Sequence, residues 1–200
     1  MQIPFLWRVL MIVTPFTAFA AVDAFGQGDK ADTLTQLLDF SRPGPAHQQL
    51  AALQGKWDFQ DVKRAYVKGV LVRESIFDGR FYTVEITGGK LPLPVANGAM
   101  KEDNYKSLQW EGYDNARKAY FTTSINNHIG SDEQAQQGLY DSTAQVFTYA
   151  WESELLPGFH VPCKRLVHLV DANTYTEEYL EERNGKWVEV RQLRYTRQSH

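Results

Sequence analysis

The chain has 200 residues, 43% of them hydrophobic and 22% charged, with a formal net charge of −3 and a pI near 6.0. That length fits one domain able to bury its own core, and the acidic balance excludes the basic stripe of a nucleic-acid binder. Eleven Phe, ten Tyr and five Trp exclude a solvated coil, and the single Cys163 excludes an internal disulfide framework.

Residues 1–20 read as a signal peptide. Arg8 precedes an apolar run from Val9 to Ala20, and Ala18-Phe19-Ala20 supplies the small-x-small cleavage pattern. Cleavage after Ala20 is expected, leaving a mature protein in a periplasm or outside the cell. The run is short for a transmembrane helix, and no later stretch is long and apolar enough to span a bilayer. Residues 21–42 read as a linker and a short helix, in which Leu34, Leu37 and Leu38 share a face before Pro43 stops it. Residues 43–200 form the main domain. Pro45 opens a second short helix, with His47 capping or packing it; Leu50 and Leu53 share a face, and Gly55 suits the exit.

After Gly55 the period changes to alternation. Strands are expected near 56–64, 66–74, 80–87, 91–96, 105–113, 117–125, 144–151, 163–170, 174–182 and 186–197. Asp78-Gly79, Gly88-Gly89, Asn97-Gly98, Asp114-Asn115 and Asn184-Gly185 supply the turns. The polar stretch from Asn126 to Gln137 is the longest expected loop, and the prolines of 88–104 predict an irregular hairpin. No long helical pattern intervenes, so the fold class is all-β: an antiparallel barrel of about 8–10 strands with short N-terminal helices.

Alternation assigns faces. The faces expected inward carry Arg80, Tyr82, Val84 and Ile86 in one strand, and Leu108, Trp110 and Gly112 in another. A third carries Phe147, Tyr149 and Trp151, and the last strand contributes Trp187, Glu189, Arg191, Leu193 and Tyr195. Aromatics mixed with a few charges suit a ligand pocket better than a plain core. Arg80, Tyr82, Trp110, Tyr149, Trp151, Trp187 and Arg191 are therefore the candidate ligand-binding residues. An unpaired buried guanidinium is costly, so the expected partner is a small apolar or amphipathic molecule with an acidic head, such as a fatty acid. The competing possibility is that Glu85 or Glu189 already pairs the arginines and the interior is full.

Gly55-Lys56-Trp57 resembles the glycine-x-tryptophan signature that opens lipocalin-type (calycin) barrels. That resemblance implies a tryptophan plugging the closed end and a basic residue of the last strand across its ring, Arg197 or failing that Arg194. The wider pattern resembles the secreted bacterial domain-of-unknown-function family 1579, grouped with the lipocalin-like barrels. Its pieces here are Pro43-Gly44-Pro45-x-His47, Asp78-Gly79-Arg80-Phe81, Gly112-Tyr113-Asp114-Asn115 with Lys118 and Tyr120, Gly138-x-Tyr140-Asp141, and Tyr195-Thr196-Arg197. The Gly-Tyr-Asp-Asn piece also reads as a tight turn in which Asp and Asn bond their own backbone. The resemblance implies a fold but no substrate or catalytic residue.

Hydrolase, zinc-protease, phosphate-loop and dinucleotide motifs are absent. His160 and Cys163 are three apart, but Pro162 intervenes and no further ligand lies nearby, so no metal or haem site and no cofactor is assigned. Three functions remain open: a binding module; a small barrel enzyme, an isomerase or hydrolase with an inward Glu or His beside an Arg; and an envelope interaction protein with a filled barrel. Binding is the leading expectation, and no catalytic residue is assigned.

Overall fold

The structure is a computed structural model that describes residues 30–130 and 132–199. The signal peptide assigned to 1–20 and the linker up to residue 29 lie outside the described residues. Two helices precede ten strands: α1 (Lys30–Phe40), α2 (Pro45–Ala51), β1 (Gly55–Asp61), β2 (Lys68–Ile76), β3 (Phe81–Pro94), β4 (Met100–Asp114), β5 (Ala119–Asn126), β6 (Gln134–Asp141), β7 (Val146–Leu156), β8 (Phe159–Asp171), β9 (Thr174–Arg183) and β10 (Lys186–Arg197). Every strand pairs antiparallel with its sequence neighbours, and β10 closes the barrel on β1. Closure pairs both edges of every strand in the barrel wall. Among the described residues no helix is long and apolar enough to cross a membrane.

Two boundaries differ from the sequence reading. Expected strands 80–87 and 91–96 are one strand, β3, bent where its register with β4 shifts between Thr87 and Lys90. Gly88 and Gly89 sit at that shift, and the adjoining Gly69 leaves no room for a side chain, since a Cβ there would lie 2.2 Å from the Thr87 carbonyl oxygen. Beyond the bend, β3 and β4 continue as a long hairpin turning at Asn97-Gly98, with Pro92 opposite Glu102 and Pro94 opposite Met100. The second difference is β6, which lies partly inside the segment expected to be a loop. Its inward positions are Gln134, Gln136, Gly138 and Tyr140, so only the last carries a large apolar body and no apolar alternation shows.

The closed end is packed with aromatics. Trp57 is 1% exposed, donates its indole N–H to the Leu53 carbonyl at 2.9 Å, and meets Tyr175 edge-on at 4.7 Å. The Arg197 guanidinium lies 4.1 Å above the Trp57 ring and donates to the carbonyls of Ala52, Gln54 and Ala172. The lipocalin-like plug is therefore present, with Arg197 rather than Arg194 across the indole. Helix α2 covers this end, with Leu50 and Leu53 buried and Tyr120 donating to the Ala46 carbonyl.

The Gly-Tyr-Asp-Asn segment serves the same end. A Cβ at Gly112 would strike the Phe81 and Phe121 rings, which cover it on the outside. Tyr113 packs edge-on against His47 and Tyr120. Asp114 accepts from the amides of Ala116 and Arg117, as a tight turn requires. Asn115 departs from the expected self-bonding turn: its side-chain amide donates to the carbonyls of Phe40 and Arg42, fastening the chain after α1.

His47 caps α2. Its Nδ1 accepts the Gly44 amide at 3.0 Å, a bond only the neutral ring can make, and burial holds its pKa below the ordinary histidine value. The unfolded chain thus takes the proton first. The contribution of His47 to stability is full above about pH 6.5 and declines as pH falls through that value towards the lower folded pKa. In urea titrations at about pH 7.5 and about pH 5.5, the wild type should lose more stability on acidification than His47→Gln. Equal losses would remove His47 as the source.

Candidate functional site

Inward-pointing residues run in three tiers from the closed end to the open end. The floor is aromatic and aliphatic: Trp57, Tyr82, Val84, Phe147, Tyr175 and Tyr195 are all buried. The middle tier is charged. Arg73, 3% exposed, donates Nε to Glu111 at 2.8 Å and Nη2 at 3.3 Å, and its Nη1 reaches the Leu53 carbonyl at 3.1 Å. A bidentate pair of this kind is the arrangement that holds two charges in a desolvated interior.

Arg165, also 3% exposed, is held less closely. Its nitrogens lie 3.8 Å from Glu177 and 4.0 Å from Glu111, and its guanidinium sits 4.6 Å from the Tyr149 ring. Glu177 instead accepts from the hydroxyls of Tyr179 at 2.8 Å and Tyr195 at 3.1 Å. Burial first, and then the Glu177 charge, push the Tyr179 phenol up to about 12 and the Tyr195 phenol well above the ordinary tyrosine value. Both phenols therefore keep their protons and donate.

Above this tier a cavity of about 240 Å³ opens towards the end opposite α2. Its polar walls are Gln109, Ser124, Gln136, Arg165 and Arg191, and Phe59, Ile86 and Leu193 form an apolar side. The Arg191 guanidinium lies 3.8 Å from the Tyr179 ring centre. A second, more open chamber of about 350 Å³ adjoins it and shares Arg191 and Tyr179, with Trp151 and Cys163 on its far wall. Among the residues that line these spaces, four buried polar atoms have no hydrogen-bond partner, Arg165 Nε, Arg191 Nε, Trp151 Nε1 and Gln136 Oε1; Thr122 Oγ1, Tyr175 Oη and His168 Nε2, elsewhere in the barrel, have none either. Native interiors satisfy nearly all such groups, so the side chains that line these chambers are less well paired than a packed core requires.

The residues expected from sequence divide between inside and outside. Trp151 and Arg191 point inward in the open half; Tyr149 is inward but packed in the core beneath Arg165 and lines neither chamber. Tyr82 is inward but part of the packed floor. Arg80 is not inward: it lies in the β2–β3 turn, bonds the Phe77 carbonyl and leans on Phe81 outside the barrel. Trp110 is 43% exposed on the outer face, because β4 turns Gln109 and Glu111 to the interior and Leu108 and Trp110 away from it. Trp187 is also outside, beneath the Lys164 ammonium at 4.0 Å. A register shift between Glu189 and Arg191 separates Trp187 and Glu189 from the inward face that Arg191, Leu193 and Tyr195 share. The expected competitors for the arginines are elsewhere: Glu85 is exposed and Glu189 bonds Lys63 at 2.6 Å.

Sequence reasoning missed Arg165, Glu111, Gln109 and Gln136. Strand β8 looked apolar on both sides, so Arg165 carried no directional signal. The inward glutamine of β6 sat in a stretch that reads as loop.

The architecture is that of the lipocalin-like class: a closed antiparallel barrel, a helix and a Trp–Arg plug at one end, and a cavity at the other. Residues 42–197 match the family described as "Protein of unknown function (DUF1579)", and the chain belongs to that family. No curated protein matches the chain.

Proposed function

We propose that the protein is a binding module whose barrel receives a small molecule through the open end. One observation carries this reading: an unfilled space of about 240 Å³, walled by Arg165, Arg191, Gln109, Ser124 and Gln136, lies above a solidly packed half of the barrel. The enzyme alternative has less support. Glu111 is engaged by Arg73, and Glu177 by two phenols, which leaves neither carboxylate free as a base at the cavity.

Thermal unfolding against a panel of small metabolites tests the reading. At least one chemical class should raise the Tm of the wild type, by an amount that grows with ligand concentration. A Ser124→Phe variant, which fills the cavity from β5, should lose that response. If both proteins respond alike, or the wild type responds to nothing, the binding reading fails.

The protein is also proposed to be exported, on the strength of the apolar run and the Ala18-x-Ala20 pattern. N-terminal sequencing of the mature protein should begin at Ala21. A retained Met1 would contradict export by this route.

A further inference from the structure

We infer that the open-end cavity takes a compact organic monoanion, a short-chain or aromatic carboxylate, recognised by Arg191, Arg165 and the Trp151 indole N–H. This rests on the binding reading above and names the chemistry of its ligand. The first argument is charge. Among the described residues, the ionised side chains facing the interior from the barrel wall are Arg73, Arg165, Arg191, Glu111 and Glu177. At the rim, Asp61 and Arg64 neutralise one another, as do Glu181 and Arg183. The interior is left with one positive charge more than it has negative ones. Arginine does not shed its proton to escape burial, so the surplus persists until an anion arrives.

The second argument is the sign of the unmet hydrogen bonds. Three of the four unpartnered atoms on residues that line the two chambers are donors: Arg165 Nε, Arg191 Nε and Trp151 Nε1. An acceptor-only group such as a carboxylate suits three donors, and a bond from a guanidinium to it is about twice as strong as a neutral one. Arg191 lies over Tyr179 at 3.8 Å, which fixes the plane of its guanidinium before any ligand binds.

Size supplies the third. A cavity of about 240 Å³ lies below the ~300–1,000 Å³ of sites for drug-sized molecules. It suits a body of a few carbons against Phe59, Ile86 and Leu193, with the carboxylate at the junction with the second chamber, where Arg191 is shared and Trp151 stands on the far wall. The fatty acid expected from sequence is thereby narrowed to its short or compact relatives.

Matched probes test the inference by isothermal titration calorimetry: hexanoate against hexanamide, and benzoate against benzamide. The carboxylates should bind saturably and at least about tenfold more tightly than the amides of the same shape. Arg191→Gln should erase most of that preference while leaving amide binding in place. Trp151→Phe, which keeps the ring and loses the donor, should weaken the carboxylate about threefold to tenfold. Circular dichroism and urea midpoints establish that both variants fold, and Trp151→Phe carries the test if Arg191→Gln does not. If amides and carboxylates bind the wild type equally, the anion inference fails and the cavity reading survives. If neither member of either pair binds, the anion inference fails; the panel with Ser124→Phe then decides the cavity reading by itself.

Discussion

Trp57→Ala is expected to lose about 3–5 kcal/mol of unfolding free energy, the largest single loss in the closed end. The indole is fully enclosed, meets Tyr175 edge-on and bonds the Leu53 carbonyl, so truncation opens a cavity and removes one of the two donors to that carbonyl, leaving Arg73 alone on it. Arg197→Ala should lose less, about 1–2 kcal/mol, because the guanidinium is partly solvated and its cation–π contact is of that order. Arg197 nonetheless joins three segments through the carbonyls of Ala52, Gln54 and Ala172, so its loss should loosen α2 on the barrel. Urea denaturation followed by far-UV circular dichroism measures both. Equal, near-zero losses would refute the plug.

Glu111→Ala should be nearly as damaging, about 3–5 kcal/mol, for an electrostatic reason. Arg73 would stay buried with its charge and lose both bonds to the carboxylate. The pair as a whole is a different quantity. Two desolvated charges offset much of their own attraction, so Arg73→Met with Glu111→Leu should cost much less than Glu111→Ala alone. A double-mutant cycle in urea gives the comparison. If the double variant is as unstable as the single one, the loss comes from packing and not from the stranded charge.

Local signals in the chain carry most of the fold. Asn184-Gly185 places two positive φ angles between β9 and β10, and Asp78-Gly79 does the same before β3. The aromatic alternation of β7 and the Tyr82, Val84, Ile86 series of β3 give their faces directly, because most of those side chains belong to the packed core. Strand β4 misleads for a physical reason. Its inner face crosses the charged tier and the cavity, so Glu111 and Gln109 are inside and Trp110 is outside, inverting the usual rule. Strand β6 hides its identity likewise, since the cavity draws glutamines inward. The register shift in β10 has no sequence mark, and it alone separates Trp187 from Arg191. The candidate site was thus legible in part through Arg191 and Trp151. Its other half depends on Arg165 and Glu177, whose partnership is set by pairing between β8 and β9.

Native mass spectrometry of the protein purified from the cells that make it addresses the central claim most directly. The account predicts a fraction carrying the added mass of one small organic acid, lost on denaturation and absent from Arg191→Gln. The bare mass in both proteins, with no added species under conditions that keep the barrel folded, would contradict it.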